Sequence, residues 1–306
     1  MNTNSTIPYP GGVLAASLTP MKPDLSIDHD RLISHVNWLL SNGCDAIAYM
    51  GTTGEANSFS IDERIRALDA LAAAGIPMNA LIVGNGCCAF PDTLRLTRHA
   101  LEHGVAGVLL LPPFYYKGVS DEGVLASCDT VIQKLGDDRL QVYLYHFPYM
   151  SQVPFSDAVI EKLIDRYPNT IAGIKDSSGD WDHISHLIAS FPSLRVFAGT
   201  ERYLLDTLRA GGAGCISASV NVTAPLAAEV KRTFQEDQGL ALQDSLSTAR
   251  LAIQSRPMIP ALKGVMARLT NDSDWDSIRP PLTPLPAAEI DSLLNELSIV
   301  RTYLAK

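Results

Sequence analysis

A lysine stands at the end of an apolar run in this chain. Ile171, Ala172, Gly173 and Ile174 lead into Lys175, and Asp176, Ser177, Ser178 and Gly179 then turn the backbone toward a helix. The run reads as a buried strand. Lysine is among the residues least often buried, and burial favours its neutral amine, a nucleophile whose natural chemistry is imine formation with a ketone or aldehyde. The competing reading is a strand-end lysine whose head snorkels to water. A second stretch, Gly51-Thr52-Thr53-Gly54-Glu55, sets two hydroxyls between glycines that let backbone amides approach a ligand. That combination suits a carboxylate; it also suits a plain strand-to-helix turn with a threonine cap. A third, Tyr145-His146-Phe147-Pro148, carries a tyrosine able to pass protons to and from a carbinolamine. Alternation along the strand points His146 the other way, as a structural residue.

These stretches need elements to hold them. Strand-like runs fall at 12–18, 46–50, 80–83, 108–111, 142–147, 171–175, 195–198 and 215–218. Between and after them, helical spacing marks 28–40, 61–74, 91–102, 121–135, 156–167, 181–190, 203–210 and 224–234. Eight such alternations with short connections predict a (β/α)8 barrel, the TIM barrel, over residues 1–234. The strands are near-continuous apolar runs, as strands covered on both faces are. Residues 235–306 read differently, as helices only, at 240–255, 257–269 and 286–304, with a proline-rich linker at 278–284. This predicts a C-terminal helical subdomain.

In such a barrel the active site lies at the C-terminal ends of the strands. Lys175, Tyr145 and the threonines of Gly51-Thr52-Thr53-Gly54-Glu55 all fall there. So do Tyr115 and Tyr116 after strand four, Gly199-Thr200-Glu201 after strand seven and Ser217-Ala218-Ser219 at strand eight.

Composition excludes several functions. The net charge is -9, from 24 basic and 33 acidic residues, with no basic run to bind nucleic acid or an anionic membrane. No apolar stretch approaches the length of a transmembrane helix. Residues 1–10 are polar, without the basic and apolar regions of a signal peptide, and read as a flexible lead-in. Cys44, Cys87, Cys88, Cys128 and Cys215 are odd in number and fit no zinc spacing. They read as free, mostly buried thiols of a cytoplasmic protein.

The motifs Gly51-Thr52-Thr53-Gly54-Glu55, Pro113-Phe114-Tyr115-Tyr116, Tyr145-His146-Phe147-Pro148, Gly173-Ile174-Lys175-Asp176 and Gly212-Ala213-Gly214-Cys215-Ile216-Ser217 fall in order on strands two, four, five, six and eight. In this the chain resembles the dihydrodipicolinate synthase / N-acetylneuraminate lyase family of Schiff-base aldolases, closely over 12–234 and more loosely beyond. The resemblance implies a lysine imine with pyruvate or another 2-keto acid. By position, Lys175 looks like the imine residue, Tyr145 the proton shuttle and Thr52 its link to a second tyrosine. Tyr115 looks like that tyrosine, supplied in the family by a neighbouring subunit. Thr53 looks like the binder of the keto acid carboxylate, and the Ile216 carbonyl a neighbour of the lysine. The family is typically tetrameric, uses no organic cofactor and needs no metal for its chemistry.

Two positions depart from the family. Asn usually follows the catalytic tyrosine; here it is His146. Where dihydrodipicolinate synthases place an arginine for the second substrate's carboxylate, this chain has Met150, which offers no charged contact. The reading therefore moves toward a lyase acting on a 2-keto-3-deoxy sugar acid or related hydroxy-2-keto acid, whether aldolase, dehydratase or deaminase. Ser177, Thr200, Glu201 and Ser219 become candidates for the variable end of the substrate. The alternatives are 4-hydroxy-tetrahydrodipicolinate synthase and a barrel that binds a keto acid without turnover. Binding alone, however, has no need of Lys175, Tyr145, Thr52 and Tyr115 together.

Overall fold

The computed structural model describes residues 10–298. Eight parallel strands close in sequence order into a barrel. They are β1 (Gly12–Ala16), β2 (Ala46–Tyr49), β3 (Leu81–Gly84), β4 (Gly107–Leu110), β5 (Val142–His146), β6 (Ile171–Asp176), β7 (Arg195–Ala198) and β8 (Gly214–Ser217). The helices are α1 (His29–Ser41), α2 (Ile61–Ala73), α3 (Phe90–Glu102), α4 (Asp121–Leu135), α5 (Pro148–Ser151), α6 (Asp157–Arg166), α7 (Trp181–Ser190), α8 (Leu204–Arg209) and α9 (Val220–Arg232). Beyond them lie α10 (Gln238–Gln254), α11 (Met258–Thr270) and α12 (Ala287–Glu296). The polar lead-in expected over 1–10 lies, save for Pro10, outside the described residues, as does the end of the last expected helix.

Period-two alternation sorts each strand into two faces. Val13, Ile47, Leu81, Val108, Leu144, Ile174 and Val196 point outward and pack under the helices. Leu14, Ala48, Ile82, Leu109, Tyr143, Tyr145, Phe197 and Ile216 point inward and fill the barrel. Tyr143 takes up much of that interior. Its ring lies where a Cβ at Gly107 or Gly173 would stand, 2.8 and 2.9 Å away, so both flanking strands carry glycine. Local chemistry starts the helices: Ser60 and Glu63 form a capping box on α2, and the Ser120 and Ser156 hydroxyls cap α4 and α6.

Two elements differ from expectation. The four-residue α5 had no sequence signal, since a single turn shows no periodicity. Helix α9 starts at Val220, before the expected 224, and carries Pro225 inside it. Proline usually marks a first turn; here burial of Val220, Asn221 and Val222 extends the helix upstream.

The C-terminal helices share their core with the barrel. Ala249, Ile253, Leu262, Val265, Trp275 and Leu293 pack with Leu18 and Val222. An ion pair buried on both sides, Lys263 on α11 with Glu55 after β2 at 2.6 Å, joins the two parts. Burial pushes the Lys263 ammonium below its ordinary range, and Glu55 opposes that shift. Arg279, in the non-helical linker, donates to the Leu25 carbonyl at 2.9 Å and stacks over Phe59. No described helix is long and apolar enough to cross a membrane.

Candidate active site

Lys175 and Tyr145 are register partners on neighbouring strands β6 and β5. Same-register residues of parallel neighbours face the same side, and here that side is the barrel interior. Lys175 is 5% exposed and Tyr145 4%. The Lys175 Nζ lies 4.3 Å from the centroid of the Tyr145 ring. Among the described residues it has no carboxylate within ion-pairing distance and makes no hydrogen bond. The amine is thus held by packing and by the ring face, with nothing that must be broken before it reacts. The Tyr145 hydroxyl lies 3.4 Å from Thr52 Oγ1. Phe147 stacks on the Tyr145 ring at 5.6 Å and fixes its plane, a contact that sequence reasoning missed. The ends of β2, β5 and β6 therefore bring Thr52, Tyr145 and Lys175 together.

The loop after β2 is bent to fit. Met50 and Glu55 both adopt left-handed backbone conformations. Gly84 leaves room for the Met50 carbonyl, which a Cβ there would meet at 2.2 Å. Thr53 is buried in this loop, and Glu55 anchors it to α11. Ile216 lies in the interior cluster with Tyr145.

Other candidate residues lie elsewhere. Tyr115, on the loop after β4, is 72% exposed, and Met150, on α5, is 54% exposed. Lys117 ties the loop after β4 to α5 by donating to the Ser151 carbonyl at 2.9 Å.

Glu201 and Ser219, expected at the variable end of the substrate, have their polar atoms engaged within the protein. Both are fully buried. The Glu201 carboxylate pairs with the Ser217 hydroxyl, accepts from Thr223 Oγ1 at 3.2 Å and meets Arg250 of α10 at 3.5 Å. Arg250 Nη1 also donates to Ser217 Oγ and Ser219 Oγ at 2.9 and 3.1 Å. A buried carboxylate needs such partners, and the network ties β7 and β8 to the C-terminal helices. Thr200 Oγ1 accepts from the Arg202 amide as a cap. The Ser177 hydroxyl occupies the space left by the missing side chain of Gly199.

Behind the strand ends, His146 and Asp176 are register partners on the outer face. The Phe155 amide donates to His146 Nδ1 at 3.2 Å, so the proton of neutral His146 sits on Nε2. The ring stacks on His183 of α7 at 4.8 Å, and burial lowers its pKa. Asp176 accepts from the Ser178 amide at 2.6 Å and pairs with His183 Nδ1, which fixes the turn that follows Lys175. This supports the structural reading of His146. Asp176 carried its own signal, as the carboxylate directly after the lysine.

The Dihydrodipicolinate synthetase family matches residues 9–299. The chain belongs to that family. An uncharacterized DapA-like lyase of Chloroflexus aurantiacus is 36% identical over 93% of this chain and 95% of its own length. A 4-hydroxy-tetrahydrodipicolinate synthase of Rhizobium meliloti is 28% identical over 94% of this chain and 99% of its own. Among solved structures, dihydrodipicolinate synthase from Agrobacterium tumefaciens superposes with a TM-score of 0.88 at 30% identity, covering 94% of this chain and 99% of that one. In this dihydrodipicolinate synthetase family member, both departures in sequence follow Tyr145 closely: His146 ends β5 and Met150 lies in α5.

Proposed function

We propose that this protein is a pyruvate-dependent lyase that works through an imine on Lys175, and that its substrate is a 2-keto-3-deoxy sugar acid or related hydroxy-2-keto acid. The observation that carries the reading is the buried, unpaired Lys175 amine against Tyr145, with Thr52 behind it. The Lys175 nitrogen attacks the ketone carbon, and the carbinolamine loses water as Tyr145 supplies the proton. The hydroxyl on the carbon beyond the cleaving bond gives its proton to Tyr145 as that carbon–carbon bond breaks. The electron pair enters the imine to form an enamine, and the aldehyde leaves. Protonation of the enamine and hydrolysis release pyruvate and restore the amine. Thr53 and neighbouring amides hold the keto acid carboxylate. Dehydration and deamination draw on the same imine. Tyr115 acts in a neighbouring copy's site, within a homotetramer in the cytoplasm.

A second reading, 4-hydroxy-tetrahydrodipicolinate synthase, is favoured by the names of the Rhizobium and Agrobacterium relatives. It is disfavoured by Met150, which leaves the carboxylate of aspartate semialdehyde without its arginine.

Borohydride reduction in the presence of pyruvate tests the core of the proposal. Mass spectrometry is expected to find one reduced pyruvyl adduct per chain, on Lys175, and Lys175→Ala to abolish both adduct and turnover with an unchanged circular dichroism spectrum. No adduct, or an adduct on another lysine, overturns the mechanism.

A further inference from the structure

On the wall of the barrel, at the end where the strands begin, three side chains converge. Asp69 lies on α2; His99 is in the last turn of α3 and His103 caps that helix, four residues before β4. The spacing His99-x3-His103 places both imidazoles on one helix face. His99 Nε2 lies 2.7 Å from Asp69 Oδ1, and His103 Nε2 lies 2.9 Å from the same oxygen. The two Nε2 atoms are 3.3 Å apart, and the rings meet at 79°. We propose that Asp69, His99 and His103 form a binding site for a divalent transition metal, of which zinc is the probe of choice.

Three features carry the assignment. The first is distance. Tetrahedral zinc bonded to two imidazoles at roughly 2.0–2.1 Å holds their nitrogens about 3.3 Å apart, the separation already present here. The Asp69 carboxylate, 49% exposed on its side chain, is free to open by the half ångström that the metal needs. The second is field. His99 and His103 stand in the last turn and at the C-cap of α3, where the helix dipole favours a cation. The third is ligand type. Two imidazoles and one carboxylate suit zinc, nickel, cobalt or copper rather than magnesium or calcium, which prefer all-oxygen sites. The open side toward solvent leaves a position for water.

The other histidine cluster makes the contrast. At His146, Asp176 and His183 the rings stack within 23° of parallel, and His146 Nδ1 is engaged by the Phe155 amide. The proposed metal clips α2 to α3, which the Arg95–Asp62 pair joins as well, at 2.6 Å. It takes no part in chemistry at Lys175.

The test uses untagged, chelator-stripped protein in equilibrium dialysis against zinc, with bound metal counted by atomic emission. The wild type is expected to bind one zinc per chain and to melt at a higher temperature with zinc than without. The His99→Asn/His103→Asn variant should bind at least tenfold more weakly and lose the thermal shift, while His183→Asn binds as wild type. Undiminished binding by the double variant, loss in His183→Asn alone, or no stoichiometric zinc in the wild type overturns the proposal. Should the double variant not fold, diethylpyrocarbonate labelling of the wild type decides: zinc should protect His99 and His103, and equal labelling with and without zinc refutes the site.

Discussion

Lys175 and Tyr145 meet across β6 and β5 as register partners, with Lys175 Nζ 4.3 Å from the ring centroid. The pair is built from two strands about thirty residues apart in sequence, and neither residue can shift without slipping a strand. A one-residue slip of either strand would turn its side chain out of the barrel. Chemistry and fold are therefore coupled at this contact.

Replacing Tyr145 by Phe removes one hydroxyl and leaves the ring packing. We expect kcat for pyruvate release to fall about 10²–10⁴-fold, the range for a lost acid–base group. Turnover near that of the wild type would remove Tyr145 from the proton path. Tyr115→Phe should also be impaired. If Tyr115 serves a neighbouring copy, mixing the two inactive variants restores part of the activity, and mixtures as inactive as their components argue against a shared site.

Met150 bears on substrate choice. A charge-assisted hydrogen bond contributes roughly 1.5–3 kcal/mol, at least about tenfold in kcat/KM. Condensation of pyruvate with aspartate semialdehyde should accordingly be poorer than with an uncharged hydroxyaldehyde, and Met150→Arg should narrow the gap. A tenfold preference of the wild type for aspartate semialdehyde would replace the leading assignment with the synthase.

The Glu55–Lys263 pair is buried on both sides, so removing one partner strands the other charge. Glu55→Gln should cost about 3–5 kcal/mol in urea unfolding, and replacing Lys263 by Met as well should recover part of that loss. A cost below about 1 kcal/mol would mean that the loop and α11 relax around the vacancy.

His35 is fully buried on α1, beside Trp275, and its Nε2 lies 2.7 Å from Asn221 Oδ1. The Asn221 amide donates to the Ala16 and Ala218 carbonyls, so its oxygen accepts and His35 Nε2 donates. Burial lowers the His35 pKa from 6.5 to about 4. Between these values the unfolded chain binds the proton and the folded chain does not, so stability present above pH 6.5 is lost as pH falls toward 4. The loss is about 3 kcal/mol. Urea unfolding of the wild type from pH 7 to pH 4.5 should show this slope, and His35→Gln should flatten it. Parallel pH profiles would place the titration elsewhere.

The order of the eight strands, the position of Lys175 at the end of β6 and the threonines after β2 were all legible in the chain, because apolar runs and turn residues encode them locally. The C-terminal helices were legible too, by periodicity. What Glu201 and Ser219 do was not. Both lie at strand ends, where sequence alone leaves a substrate contact open; Arg250 arrives from α10 and takes up their polar atoms. Nor could spacing show that Lys263 pairs with Glu55, or that Asp69 meets two histidines on the next helix. Such contacts join residues far apart in the chain, and only closure of the barrel and packing of its helices bring them within bonding distance.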